Sequence, residues 1–121
     1  MQHHIGTDII EIERIRRAIE RWGDRFLNRV FTRDELRIYG HRAHSLAASF
    51  ASKEAVMKML GTGNQGVAWR EIETLYHTSG KPIIRLNGRA KKQAEKLGIK
   101  EIDVSLSHSR ENAIATAIGS T

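Results

Sequence analysis

Cysteine is absent from the 121 residues, which excludes disulfides and thiolate metal sites and leaves nothing to argue for an oxidising compartment. Proline occurs once, at Pro82, and no linker, low-complexity tract or internal repeat interrupts the chain. No apolar run approaches the roughly 18 residues a membrane-spanning helix needs. The opening "MQHHIGTDII" lacks the charged start and long apolar stretch of a signal peptide, so a cytoplasmic protein away from membranes is expected. With 40% hydrophobic and 28% charged residues the composition is that of an ordinary globular protein. The length suits a single domain over residues 1–121 and is too short for two.

Positive charge, by contrast, is abundant. Twenty Lys and Arg face 14 Asp and Glu, a net charge of +6, which favours an anionic partner: nucleic acid, a phosphorylated small molecule or an acidic protein. The patterning predicts a strand over residues 3–10, followed by a helix whose apolar positions are Ile12, Ile15, Ile19, Trp22 and Phe26, ended or bent at Gly23. "TRDE" reads as a capping box, with Thr32 as N-cap and Glu35 three residues on, opening a short helix to Tyr39. A longer helix from His44 or Ser45 to Leu60 is stopped by "GTG". Two strands follow around the turn "SGKP", then a surface helix with Ala90, Ala94 and Leu97 inward and Gly98 at its end. "EIDVSLSH" and "NAIATAIG" complete a hairpin turning at 109–111. This order predicts an α+β fold, a mostly antiparallel sheet with helices packed on one face.

Two carboxylates are out of keeping with their surroundings. On a helical wheel Glu54 has Ala47, Phe50, Ala51, Met57 and Gly61 within roughly 60° of it and Lys58 about 40° away. A solvated glutamate does not belong in such a stripe, and a buried carboxylate must be paired, hydrogen-bonded or metal-bound. The plain alternative is an i, i+4 pair of Glu54 with Lys58 on an ordinary helix. Asp8 stands in an isoleucine-rich strand, where it either caps the next helix or serves a hard cation such as Mg²⁺. Two carboxylates from different elements, with lysines nearby in a basic chain, suit a Mg²⁺–phosphate site.

Other patterns carry less. "GTGNQG" matches a dinucleotide fingerprint as a string, but it follows a helix where that motif follows a strand. Arg14, Arg17, Arg21 and Arg25 form a stripe beside the apolar helix face. It reads either as a salt-bridged solvated face or as a docking strip for an acidic surface. Nucleic acid is the rival partner, yet no exposed aromatics are interleaved for base stacking. His108 closes a strand between Ser107 and Ser109; alone it is an unremarkable surface histidine, and next to a phosphate the three would supply donors.

"GTDIIEIERI", "FTRDEL", "FASKEAVMKMLGTG", "GKP" and "VSLSHS" occur in the order found in bacterial holo-[acyl-carrier-protein] synthases, the short 4′-phosphopantetheinyl transferases, and the chain resembles that family over nearly its whole length. The resemblance implies a Mg²⁺-dependent transfer of 4′-phosphopantetheine from coenzyme A to a serine of apo acyl carrier protein, releasing adenosine 3′,5′-bisphosphate, as in fatty-acid biosynthesis. It further implies Asp8 and Glu54 as Mg²⁺ ligands, with Lys58 offsetting charge on the pyrophosphate and Glu54 or a metal-held water as the base. Coenzyme A contacts would fall on Phe50, Gly61, Pro82, Ser107 and His108, and carrier-protein docking on Arg14, Arg17 and Arg21. Where the family commonly has an arginine before this phenylalanine the chain has Ser49, leaving His108, Arg42 or another basic group to meet the 3′-phosphate. The resemblance also implies a homotrimer with active sites between subunits, and no role for nucleic acid or membrane.

Overall fold

The computed structural model describes residues 2–63 and 66–121. Strand β1 (His3–Glu11) leads without a loop into helix α1 (Ile12–Trp22), and a short helix α2 (Asp24–Val30) follows directly. Gly23 makes that break by adopting φ 54°, which a side chain would resist, so the predicted bend resolves into two helices. Helix α3 (Arg33–Tyr39) opens on the expected capping box: Glu35 N donates to Thr32 Oγ1, and Thr32 N donates to the Glu35 carboxylate. Helix α4 (Ala43–Leu60) begins one residue earlier than predicted and ends at Gly61 in the left-handed conformation, φ 76°. A 3₁₀ turn (Trp69–Glu71) leads to β2 (Ile72–Tyr76) and β3 (Pro82–Leu86), then α5 (Gly88–Lys96), β4 (Glu101–His108) and β5 (Asn112–Ser120).

All strand pairings are antiparallel, as expected, but the strands divide between two sheets, β1-β5-β4 and β2-β3. Helix α4 is the axis of the molecule. Twelve of its 18 residues are buried, because the three-stranded sheet covers one side while α1, β2 and α5 cover the rest. Small side chains make this possible. Ala51 and Ala55 of α4 meet Ala113, Ala115 and Ala117 on the inward face of β5, and all five are fully buried.

Gly6 of β1 brings the strand still closer. A Cβ there would overlap the Ala55 carbonyl oxygen and lie 2.6 Å from the Met59 amide nitrogen. Alternation along β1 then turns His4, Gly6, Asp8 and Ile10 toward α4 and His3, Ile5, Thr7 and Ile9 away from it.

Two sequence expectations differ from what is found. Trp22, grouped with the apolar face of α1, is 51% exposed, whereas Ile12 and Ile15 of that face are buried. In α4 the deeply buried charge is Lys53 rather than Glu54, which is half-buried. Lys53 lies on the stripe Leu46, Ser49, Lys53, Val56, Leu60, every member of which is at most 1% exposed. Its ammonium donates to Glu35 Oε1 at 2.7 Å, to the Trp69 carbonyl at 3.2 Å and to the Ile72 carbonyl. Glu35 is equally satisfied, accepting from Ser49 Oγ at 3.1 Å and Thr74 N at 2.9 Å as well. Desolvation pulls the Lys53 pKa down and Glu35 opposes it; an ion pair so enclosed survives because every polar atom has a partner.

Candidate active site

The site forms where β1 crosses the C-terminal half of α4. Asp8 points inward from the strand two residues after the Gly6 contact, and its carboxylate accepts from Lys58 Nζ at 3.1 Å; the same ammonium donates to the Thr7 carbonyl at 3.0 Å. The Asp8 side chain is only 13% exposed, so it is held rather than solvated, while Lys58 is largely in water. Asp8 does not cap α1, whose N-cap is Glu11 without a side-chain hydrogen bond. Nor does Glu54 pair with Lys58: among the described residues, the ion pair that Lys58 makes is with Asp8.

Burial pushes the Glu54 carboxyl above its ordinary range and the Asp8 charge pushes it further, while Lys58 and Arg14 pull it back. Asp8, Glu54, Lys58 and Arg14 therefore form one electrostatic cluster contributed by β1, α4 and α1.

The donor set bears on which metal would fit. Among the described residues no three His, Cys, Asp or Glu side chains are placed to enclose a metal ion. Two carboxylates that repel each other, one of them with a raised pKa, instead suit a hard cation that keeps waters and takes substrate phosphate oxygens as further ligands, which is the habit of Mg²⁺.

The other sequence-designated residues are dispersed. Gly61 lies at the end of α4, one turn beyond Lys58. Phe50, one turn before Glu54, stacks on Trp69 with ring centroids 4.7 Å apart and 24° between planes. Together with Trp22, Phe26, Val30, Arg25 and Arg29 these rings line a cleft of about 420 Å³. His108 turns toward α4 and meets His44 edge-on at 5.8 Å in a second cleft of about 160 Å³, shared with Ser45 and Tyr76. Pro82 does not line that cleft but pairs with Tyr76, which does. Ser107 points the opposite way, paired with Ile114 on the outer face of the sheet.

Ser49 is fully buried, its hydroxyl donating to Glu35 Oε2 at 3.1 Å. The Arg42 guanidinium is engaged at the end of α3, donating to the Tyr39 carbonyl at 3.0 Å and the Ile38 carbonyl at 2.8 Å. In "GTGNQG", Asn64 and Gln65 lie outside the described residues; Gly61 and Gly63 both have positive φ after a helix, in keeping with the rejection of a dinucleotide fingerprint.

Along α1, Glu13 pairs with Arg16 at 2.5 Å and with Arg17 at 3.9 Å. Arg14, Arg21 and Arg25 make no ion pair among the described residues, and Arg21 lies over the Trp22 ring at 4.9 Å. Part of the stripe is thus a solvated salt-bridged face and part is uncommitted positive charge. Sequence reading missed the aromatic cleft, because Trp22 fits a core periodicity and Trp69 sits in no periodic element. It also missed His44, which has no neighbour in sequence to mark it.

A family model described as the 4′-phosphopantetheinyl transferase superfamily matches residues 4–117. A holo-[acyl-carrier-protein] synthase of Herpetosiphon aurantiacus is 50% identical over 121 residues, covering 94% of this chain and 95% of that protein. One from Dehalococcoides mccartyi is 53% identical over 115 residues, covering 95% and 96%. Among solved structures, Helicobacter pylori holo-[acyl-carrier-protein] synthase in complex with coenzyme A superposes with a TM-score of 0.88 at 30% identity, covering 96% of this chain and 99% of that one.

Proposed function

The chain belongs to the 4′-phosphopantetheinyl transferase superfamily, and from that membership we propose that it performs the reaction for which its relatives are named, in the cytoplasm. It moves the 4′-phosphopantetheine arm of coenzyme A to a serine of apo acyl carrier protein, yielding holo carrier protein and adenosine 3′,5′-bisphosphate. One observation carries the site assignment. Asp8, distant in sequence from Glu54 and Lys58, joins them in one cluster where β1 crosses α4, and all three match the family's motif.

Within that cluster Asp8 and Glu54 would hold Mg²⁺. When bound, the ion supplies electrophilic stabilisation of the pyrophosphate as its bond to the leaving group breaks. Lys58 is largely exposed and free to turn its ammonium from Asp8 to a phosphate oxygen. The serine proton would pass to Glu54 or to a water held by the ion, both of which lie in this cluster. The nucleophile arrives on the carrier protein, so the chain needs no serine or cysteine triad of its own.

The carrier protein would dock along α1. Arg14, Arg17 and Arg21 offer charge to an acidic helix, and the adjoining cleft of Trp22, Phe26, Phe50 and Trp69 offers an apolar seat between Arg25 and Arg29. Phe50 thereby suits the carrier protein at least as well as coenzyme A. The phosphate-binding role suits His108 together with His44 across the smaller cleft.

Ser107 and His108 face opposite sides of β4, which favours coenzyme A contacts shared between subunits of a homotrimer. The outer face of the sheet supports it too, since Ile5 opposes Ile118 and Ile9 opposes Ile114, all exposed.

The test is a mass-shift assay with apo carrier protein, coenzyme A and Mg²⁺. Wild type should add one phosphopantetheine per carrier, chelator should stop the transfer, and Asp8→Ala and Glu54→Ala should abolish it with the fold intact by circular dichroism. No shift with several carrier proteins would refute the reaction; full turnover by both variants would refute the site.

A further inference from the structure

The transfer chemistry leaves unused the most enclosed charges in the molecule, Glu35 and Lys53, both 0% exposed and 2.7 Å apart. Buried ion pairs are weak contributors to net stability, and apolar replacements often serve as well, so their geometry is the more informative property. Lys53 lies between Phe50 and Lys58 on α4 and next to Glu54. Its ammonium reaches out of the helix to two carbonyls, those of Trp69 and Ile72, which bracket the 3₁₀ turn before β2. Glu35 fixes that ammonium while accepting from Thr74 N on β2. On its far side the same turn is tied to α5 through Glu71, which accepts from Ala68 N at 2.6 Å and Arg89 N at 2.5 Å. The side chain this turn presents toward α4 is Trp69, stacked on Phe50 in the aromatic cleft.

We propose that the Glu35–Lys53 pair is a positioning device that holds Trp69 against Phe50 and thereby sets the cleft that receives the carrier protein. The proposal rests on the docking role given above to that cleft. It makes Lys53 a positioning residue for the protein substrate, with no contact to coenzyme A.

The double variant Glu35→Gln/Lys53→Met removes both charges at nearly constant volume. Steady-state kinetics should show KM for the carrier protein raised on the order of tenfold, with KM for coenzyme A within about twofold of wild type. In a Trp22→Phe background Trp69 is the sole tryptophan, and its emission should shift to the red as it leaves Phe50. An unchanged carrier-protein KM, or both KM values rising together with Trp69 emission unmoved, would reduce the pair to a core fixture and overturn the proposal. If the double variant fails to fold, Lys53→Arg carries the test by the same criteria, because it keeps the charges but replaces a point donor with a planar fork. Should wild type transfer nothing, the docking reading falls separately, and Trp69 emission still decides whether the pair holds the ring.

Discussion

Glu54 carries a cost in the unliganded protein. Its carboxylate is partly desolvated and lies in the field of Asp8, which raises its folded-state pKa above the unfolded value. A carboxyl raised in this way binds its proton more tightly when folded. Its contribution to stability is therefore complete at acid pH and is lost as the pH climbs from about 4.5 through the raised folded-state value. Glu54→Gln should consequently melt higher than wild type at pH 7 without Mg²⁺. Because the group is half-exposed and solvent-screened, the gain should be at most about 1 kcal/mol, or roughly 1–3 °C in Tm at equal protein concentration. The difference should shrink toward pH 4, while the variant is inactive throughout. Equal melting temperatures at pH 7 would show that no such penalty is present. Asp8, Glu54 and Lys58 were readable as a group because each breaks the pattern of its own element, and the family motif joins them. Lys53 escaped notice for the opposite reason: next to Glu54 it passes for a solvated lysine, and only the stripe through Leu46, Ser49, Val56 and Leu60 betrays its burial.

Among elements, the pairing of β1 with α4 decides whether the site exists, and Gly6 decides how close they come. Gly6→Ala would drive a methyl group into the backbone of the next layer, against Ala55 and Met59, where no flexible side chain can yield. The expected cost is about 1–3 kcal/mol of stability by thermal or urea unfolding, as for other overpacked interiors. Transfer activity should fall by more than the loss of folded protein explains, because Asp8 moves with the strand. A Gly6→Ala variant with wild-type kinetics would mean that the close approach is dispensable. The element order was legible from periodicity and capping, down to the reciprocal hydrogen bonds of Thr32 and Glu35. The division into two sheets was not, since pairing between distant strands leaves no local signature. In β2 the alternation fails for a physical reason. Ile72, Glu73 and Thr74 are all buried, with Glu73 turned to Arg85 at 2.7 Å and to Thr32 at 2.5 Å.

For the whole molecule the question is what covers the outer face of β1-β5-β4. The inward face is matched to α4 by alanines, yet Ile5, Ile9, Ile114 and Ile118 line the other side in opposed pairs, with Ile5 and Ile9 each more than 60% exposed. A strand with isoleucine on both faces is a strand built to be covered twice, and a second copy of the chain is the cover that the proposed homotrimer would provide. Ile5→Lys/Ile118→Lys alters only exposed positions, so the subunit should stay folded; if the proposed trimer forms through this face, sedimentation should shift from trimer to monomer and coenzyme A affinity should drop. Complementation then tests whether the sites span subunits. Glu54→Ala and His108→Ala chains, each inactive, are unfolded together, mixed in equal amounts and refolded. If Glu54 and His108 of one site come from neighbouring subunits, random assembly leaves about a quarter of the sites intact, and a corresponding fraction of wild-type activity returns. If both residues of a site come from one chain, mixing restores nothing, and the pocket must be drawn within a single subunit.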